Sequence, residues 1–179
     1  EGEDERVLQA AQVAVDENIA RPILVGRPDA IAARIRHLGL RIAPGRDVDV
    51  ASFDDEDLVR SAVETYYQLG RRRGVERDAA AAEMRRNGTL IAAMLLREGR
   101  ADAMLCGTFG RYRDHLRYIA DVVGLREGAG GFAAMNLLQL PRPRRIVHAD
   151  VVFFVVRKRS VVEVRRADRR PQSIHHHGL

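Results

Sequence analysis

Apolar positions return every three or four residues between Glu3 and Ile19, at Val7, Leu8, Ala11, Val15 and Ile19, behind an acidic first turn. That spacing predicts an amphipathic helix, with negative charge where the helix dipole favours it. Pro22-Ile-Leu-Val-Gly26 then reads as a short buried strand ending in a turn. Arg27-Pro-Asp29 leads into a second helix, Ala30–Leu38, which Gly39 stops. Val48–Val50 predicts a further strand, and Asp54–Leu69 a helix broken by Gly70 through Gly74.

Asp78–Gly99 is Ala-rich, with Ala82, Leu90, Ala93 and Met94 on an apolar stripe, and predicts at least one long helix. Ala103–Gly107 reads as a buried strand, Thr108–Gly110 as a loop, and Arg113–Val123 as a helix closed by Gly124. Phe132–Leu140 adds another apolar run. Short apolar strands alternating with amphipathic helices predict α/β layers on a mostly parallel sheet.

Beyond Pro141 helical periodicity disappears. Arg142–Arg145, Val151–Val156, Arg157–Arg159 and Val161–Val164 alternate basic and apolar blocks without a repeat. The chain therefore divides into a body, residues 1–140, and a basic tail, residues 141–179.

Charge sharpens this division. The net charge is +5 over 179 residues, but residues 141–179 hold ten Arg/Lys against three Asp/Glu, so the first 140 residues carry −2. The basic balance is a property of the tail and does not make the body a nucleic-acid binder. At 46% apolar and 31% charged the composition is globular, and with no Trp the core rests on Ala, Val, Leu and Ile. No apolar run is long enough to span a bilayer. One cysteine, Cys106, forms no internal disulfide, which predicts a reducing, cytoplasmic setting. The first residue, Glu1, is read as a cut or processed terminus.

The stretch from Ala101 to Arg117 carries the candidate chemistry: a strand runs into a Gly/Thr loop and then a helix. In an open α/β sheet ligands bind at the carboxyl ends of strands, where glycine permits close backbone approach and free N–H groups suit phosphate. Arg111, Arg113 and Arg117 would add bidentate contacts. The plain alternative is a structural turn. Cys106 reads as a small core residue more readily than a nucleophile. His115 has no His or Cys partner at metal-ligand spacing and reads as a surface or satisfied histidine; His175–His177 read as a solvated chain end. Arg71–Arg73 read first as an exposed loop, and no metal site is expected.

The segments Glu1–Ala11, Arg21–Pro28, Ala101–Gly107 and Ala134–Leu138 together resemble the phosphate acetyl/butyryltransferase (phosphotransacetylase) family over residues 1–140. The phrase Cys106-Gly-Thr-Phe-Gly-Arg-Tyr-Arg-Asp-His-Leu-Arg-Tyr118 looks most like the branch fused to the C-terminus of bacterial NADP-dependent malic enzymes. The resemblance implies a three-layer α/β/α fold of the isocitrate/isopropylmalate-dehydrogenase kind, present here as its first subdomain. It implies acyl-CoA and phosphate as ligands, in a cleft shared with a second subdomain, and a homo-oligomer in the full-length form. Position by position it points to Gly107, Thr108 and Arg117, loosely to Arg73, with Arg111 beside them. The family's reaction exchanges CoA for phosphate on an acyl group.

Two departures redirect that reading. Where active transacetylases carry a His-[Ser/Thr]-Thr-like stretch, this chain has Gly110-Arg111-Tyr112, a change shared with the malic-enzyme branch, viewed as an acetyl-CoA sensor. The family's Ala-Asp motif begins at Ala149-Asp150 and then stops matching, so the tail reads as a frameshift or truncation product. The resemblance therefore implies an acetyl-CoA- and phosphate-binding regulatory piece, with no catalytic residues assigned. NADP and Mg/Mn would belong to the rest of the malic enzyme. The alternatives are a phosphate acetyltransferase and a basic-tailed nucleic-acid binder, the latter without aromatic interleaving to support it.

Overall fold

A computed structural model describes residues 1–125 and 127–132 and the backbone of Val155–Val156. The first helix, α1 (Glu5–Asp16), starts where Asp4 accepts the Arg6 N–H at 2.9 Å, one of the donors a helix start leaves unpaired. Strand β1 (Ile23–Val25) follows, then α2 (Pro28–His37), which begins on a proline whose missing N–H costs nothing there. Strand β2 (Asp49–Ala51) lies parallel to β1, with Leu24 opposite Val50.

Helix α3 (Glu56–Gly70) is capped by Asp55, which accepts the Leu58 N–H at 3.0 Å. A 3-10 turn, Arg71–Arg73, ends it, with Gly74 in the left-handed region at φ 85°. The stretch Asp78–Gly99, where at least one long helix is predicted, holds two shorter ones, α4 (Arg77–Met84) and α5 (Gly88–Arg97). The break is at Asn87, extended at φ −123°, with its side-chain amide donating back to Glu83. Gly88 follows it in ordinary contact with Val25 and Phe53.

Strand β3 (Ala103–Met104) is shorter than the predicted Ala103–Gly107: Met104 is buried but Leu105 is 64% exposed. Its partner is β4 (Val155–Val156), and the pairing is antiparallel. The single, mostly parallel sheet predicted from sequence is thus two two-stranded pairs among the described residues, one of each kind. Helix α6 (Tyr112–Val122) follows β3. The runs predicted over residues 133–154 and 157–179 lie outside the described residues, apart from the sequence itself.

Alternation along β1 and β2 assigns their side chains to two cores. Leu24 and Val50 pack with Leu8, Ile31, Ile35 and Val48 from the α1–α2 side. Val25 and Ala51 pack with Met84, Leu90, Ile91, Met94 and Val122 from α3 to α6. Helices therefore cover β1 from two sides, the arrangement expected of an α/β fold. No helix among the described residues is long and apolar enough to cross a membrane.

Candidate functional site

The loop after β3 is drawn to β1 by the chain's first residues. Gly2 donates its N–H to Val25 O at 2.9 Å, which brings the Glu1 side chain to residues 107–108. Gly107 donates its N–H to both Glu1 oxygens, at 3.0 and 3.1 Å, and Thr108 donates to Oε2 at 2.9 Å. Gly107 sits at φ 101°, a conformation that L side chains rarely adopt and that turns the two amides toward one acceptor. Arg6 meets the loop from the other direction, its Nη2 donating to Thr108 O at 3.2 Å.

His115 closes the same group from α6. Its Nε2 lies 2.8 Å from Phe109 O, and a carbonyl only accepts, so that nitrogen carries the proton. Its Nδ1 lies 2.7 Å from the Thr89 hydroxyl at the start of α5, and Nε2 is 3.9 Å from Glu1 Oε1. The side chains of His115 and Glu1 are only 13% and 11% exposed. Cys106 is half-buried beside them. Burial pushes its thiol up to about 11, the Glu1 charge acting in the same direction and the Thr89 hydroxyl against it. A thiol so raised stays protonated at neutral pH and is a poor nucleophile.

The residues singled out from sequence fall in two places. Gly107, Thr108 and Arg111 stand on the loop and at the start of α6, with Arg111 exposed. Arg117 lies six residues further along, roughly 9 Å up the helix axis, and about 200° around it from His115, away from the loop. Its guanidinium rests over the Tyr118 ring at 4.8 Å and donates to Tyr118 Oη at 3.0 Å. Arg73 joins that second place, donating to Asp121 Oδ1 at 2.5 Å. Arg73, Arg117, Glu83 and Asp121 all act electrostatically on Tyr66. So the loop set and the Arg73–Arg117 set are not one constellation.

Sequence reasoning missed Glu1, Arg6 and Thr89 as partners of the loop. The one signal was that Glu1-Gly2 belongs to a segment resembling the same family as the loop itself. Among the described residues, no group of three or more His, Cys, Asp or Glu is placed to hold a metal ion.

The family described as Phosphate acetyl/butaryl transferase matches residues 1–157, running past Leu140. The chain is 46% identical over 138 residues to the NAD-dependent malic enzyme of Rhizobium meliloti, covering 77% of this chain and 18% of that protein. It is 40% identical over 141 residues to the NADP-dependent malic enzyme of Escherichia coli, covering 79% of this chain and 19% of that protein. The chain thus spans less than a fifth of the length of these relatives. Among solved structures, the EutD phosphotransacetylase from Staphylococcus aureus matches with a TM-score of 0.63 at 19% identity, over 86% of this chain and 43% of that one. At that identity the likeness is one of fold.

Proposed function

Because the chain belongs to the phosphate acetyl/butaryl transferase family, we propose that it is an acetyl-CoA- and phosphate-binding regulatory part of a malic enzyme. The observation that carries this is the 46% and 40% identity to malic enzymes over more than three quarters of the chain. The loop sequence Gly110-Arg111-Tyr112 supports it, since it departs from the transacetylase pattern in the way the malic-enzyme branch does.

In this reading Thr108 and Arg111 meet the ligand at the strand end, and Gly107 gives the loop its shape. Arg73 and Arg117 take a different part of the ligand, which is long enough to reach both places: an acyl-CoA carries phosphates at several points along an extended molecule. The second lobe of the domain covers the cleft side, where Leu105, Phe109 and Tyr112 are exposed. Malate decarboxylation, with NADP and Mg or Mn, belongs to the rest of the parent enzyme, a cytoplasmic homo-oligomer. A phosphate acetyltransferase is the second reading, favoured by the family's own description.

Calorimetric titration of the folded chain with acetyl-CoA tests the proposal, with Arg111→Ala and Arg117→Ala as comparisons. Saturable binding, weakened about tenfold by each loss of a charged contact, is expected. No heat from a chain whose circular dichroism is native would overturn it. Acetyl phosphate made from acetyl-CoA and inorganic phosphate would decide for the enzyme.

A further inference from the structure

We propose that Glu1 is a positioning residue for the loop after β3, its carboxylate being the resident occupant of the Gly107–Thr108 amide pair. A ligand phosphate is then held by side chains on the outer side of the loop and not by these two amides. The inference deepens the ligand-binding reading and rests on it for the loop's purpose.

Three observations converge. The carboxylate accepts three N–H contacts of 2.9 to 3.1 Å, which uses the donors that a phosphate would need. It is almost buried, and it is delivered by backbone: Gly2 is bonded to Val25, and a Cβ on Gly2 would meet Leu24 Cβ at 2.9 Å and Val25 O at 3.0 Å. The Glu1 side chain is therefore aimed by a rigid contact, and an acceptor held in place outcompetes one that must arrive from solution. A phosphate entering beside it would also meet like charge at contact distance. Arg6 donating to Thr108 O completes the arrangement, so residues 1–6 supply both an acceptor and a donor to one loop.

What the pair does for the ligand follows from geometry. With its amides turned inward on Glu1, the loop presents Thr108, Phe109 and Arg111 in one conformation, and the ligand meets a shaped surface. Loss of the carboxylate leaves Gly107 free to leave its left-handed conformation, which costs glycine little.

The experiment is an amide NMR comparison of the 15N-labelled full chain with its Glu1→Ala and Glu1→Gln variants, titrated with inorganic phosphate and separately with acetyl-CoA. In the unsubstituted chain the Gly107 and Thr108 amides stay in place as phosphate is added. In Glu1→Ala both move before any ligand is present and then respond to phosphate, while acetyl-CoA affinity falls roughly ten- to hundredfold. Glu1→Gln keeps an acceptor oxygen of the same reach and restores part of that affinity; it also carries the comparison if Glu1→Ala does not fold. Saturable movement of the two amides by phosphate in the unsubstituted chain overturns the proposal, as do unmoved amides in Glu1→Ala. If the unsubstituted chain binds no acetyl-CoA, the ligand reading fails, and the ligand-free amide shifts still decide the role of Glu1.

Discussion

Tyr118 on α6 donates its hydroxyl to Glu83 on α4 at 2.5 Å, and the Tyr118 oxygen itself accepts from Arg117 at 3.0 Å. Glu83 also accepts from Asn87 Nδ2 at 2.7 Å, so one carboxylate joins α6 to the α4–α5 break. Tyr118→Phe keeps the ring in its buried place and removes this bond together with the one from Arg117. A bond to a charged acceptor is worth about 1.5–3 kcal/mol, so the urea midpoint should fall by that equivalent with the slope unchanged. An unchanged midpoint would mean that solvent already satisfies Glu83.

The same hydroxyl titrates late. Burial, with Glu83 next and Arg117 opposing, raises it from 10.0 to about 12. A raised value means that the folded state holds its proton longer, so this stabilisation is complete below pH 10 and fades toward pH 12. Burial raises Tyr66 as well, so absorbance titration should show late phenols, with one fewer in Tyr118→Phe.

Gly70 ends α3 where no side chain fits: a Cβ there would lie 2.5 Å from Val75 Cγ2 and 2.7 Å from its Cβ. Valine is stiff at χ1 and cannot swing clear. Gly70→Ala should cost about 1–3 kcal/mol by overpacking, read as a lower thermal midpoint. Adding Val75→Ala should return part of it; a double variant as unstable as the single one would place the cost in the backbone instead.

Glu3 and Arg27 join the start of the chain to the turn after β1, with guanidinium and backbone N–H contacts of 2.9 to 3.1 Å. Chiefly through the Arg27 side chain, the Glu3 carboxyl is lowered from 4.5 to about 2. A lowered value places the stabilisation above the ordinary pKa and removes it as pH falls from 4.5 through about 2. The pair is largely solvated, so the effect should stay within about 1 kcal/mol. Glu3→Gln should flatten that part of the acid denaturation curve; an unaltered curve would refute the assignment.

Cys106, with its thiol at about 11, should react with iodoacetamide at pH 8 far more slowly than a free cysteine. The rate should climb toward pH 11, and Glu1→Gln should shift the climb to lower pH by removing a negative neighbour. Fast alkylation at neutral pH would restore Cys106 as a candidate nucleophile.

Elements written in local periodicity were legible in the sequence: α1, β1, α2 and α6 lie where apolar spacing and terminal glycines put them. Strand–glycine–helix order also located the loop at Gly107. What sequence reading lost was set by particular contacts. Asn87 is extended inside a continuous apolar stripe and donates back to Glu83, which apolar spacing does not show. Leu105 looks like strand core and is exposed, since pairing stops at Met104. His115 was read as a surface or satisfied residue; it is the satisfied kind, bonded to Thr89 and Phe109. Charge and residue type gave no hint that Arg117 turns from the loop, or that Glu1 turns toward it.

The bond from Gly107 to Glu1 spans 106 residues. Closing so long a segment costs chain entropy that local helices do not face, and contacts of this separation slow folding. During synthesis Glu1 emerges ahead of Gly107 and waits for the intervening residues before its partners exist. The helices can settle early, but the loop acquires its shape only when both ends of this span have met. Assembly of the strand-end surface is thus a late event, and a chain stalled before Gly107 holds a helical body without it.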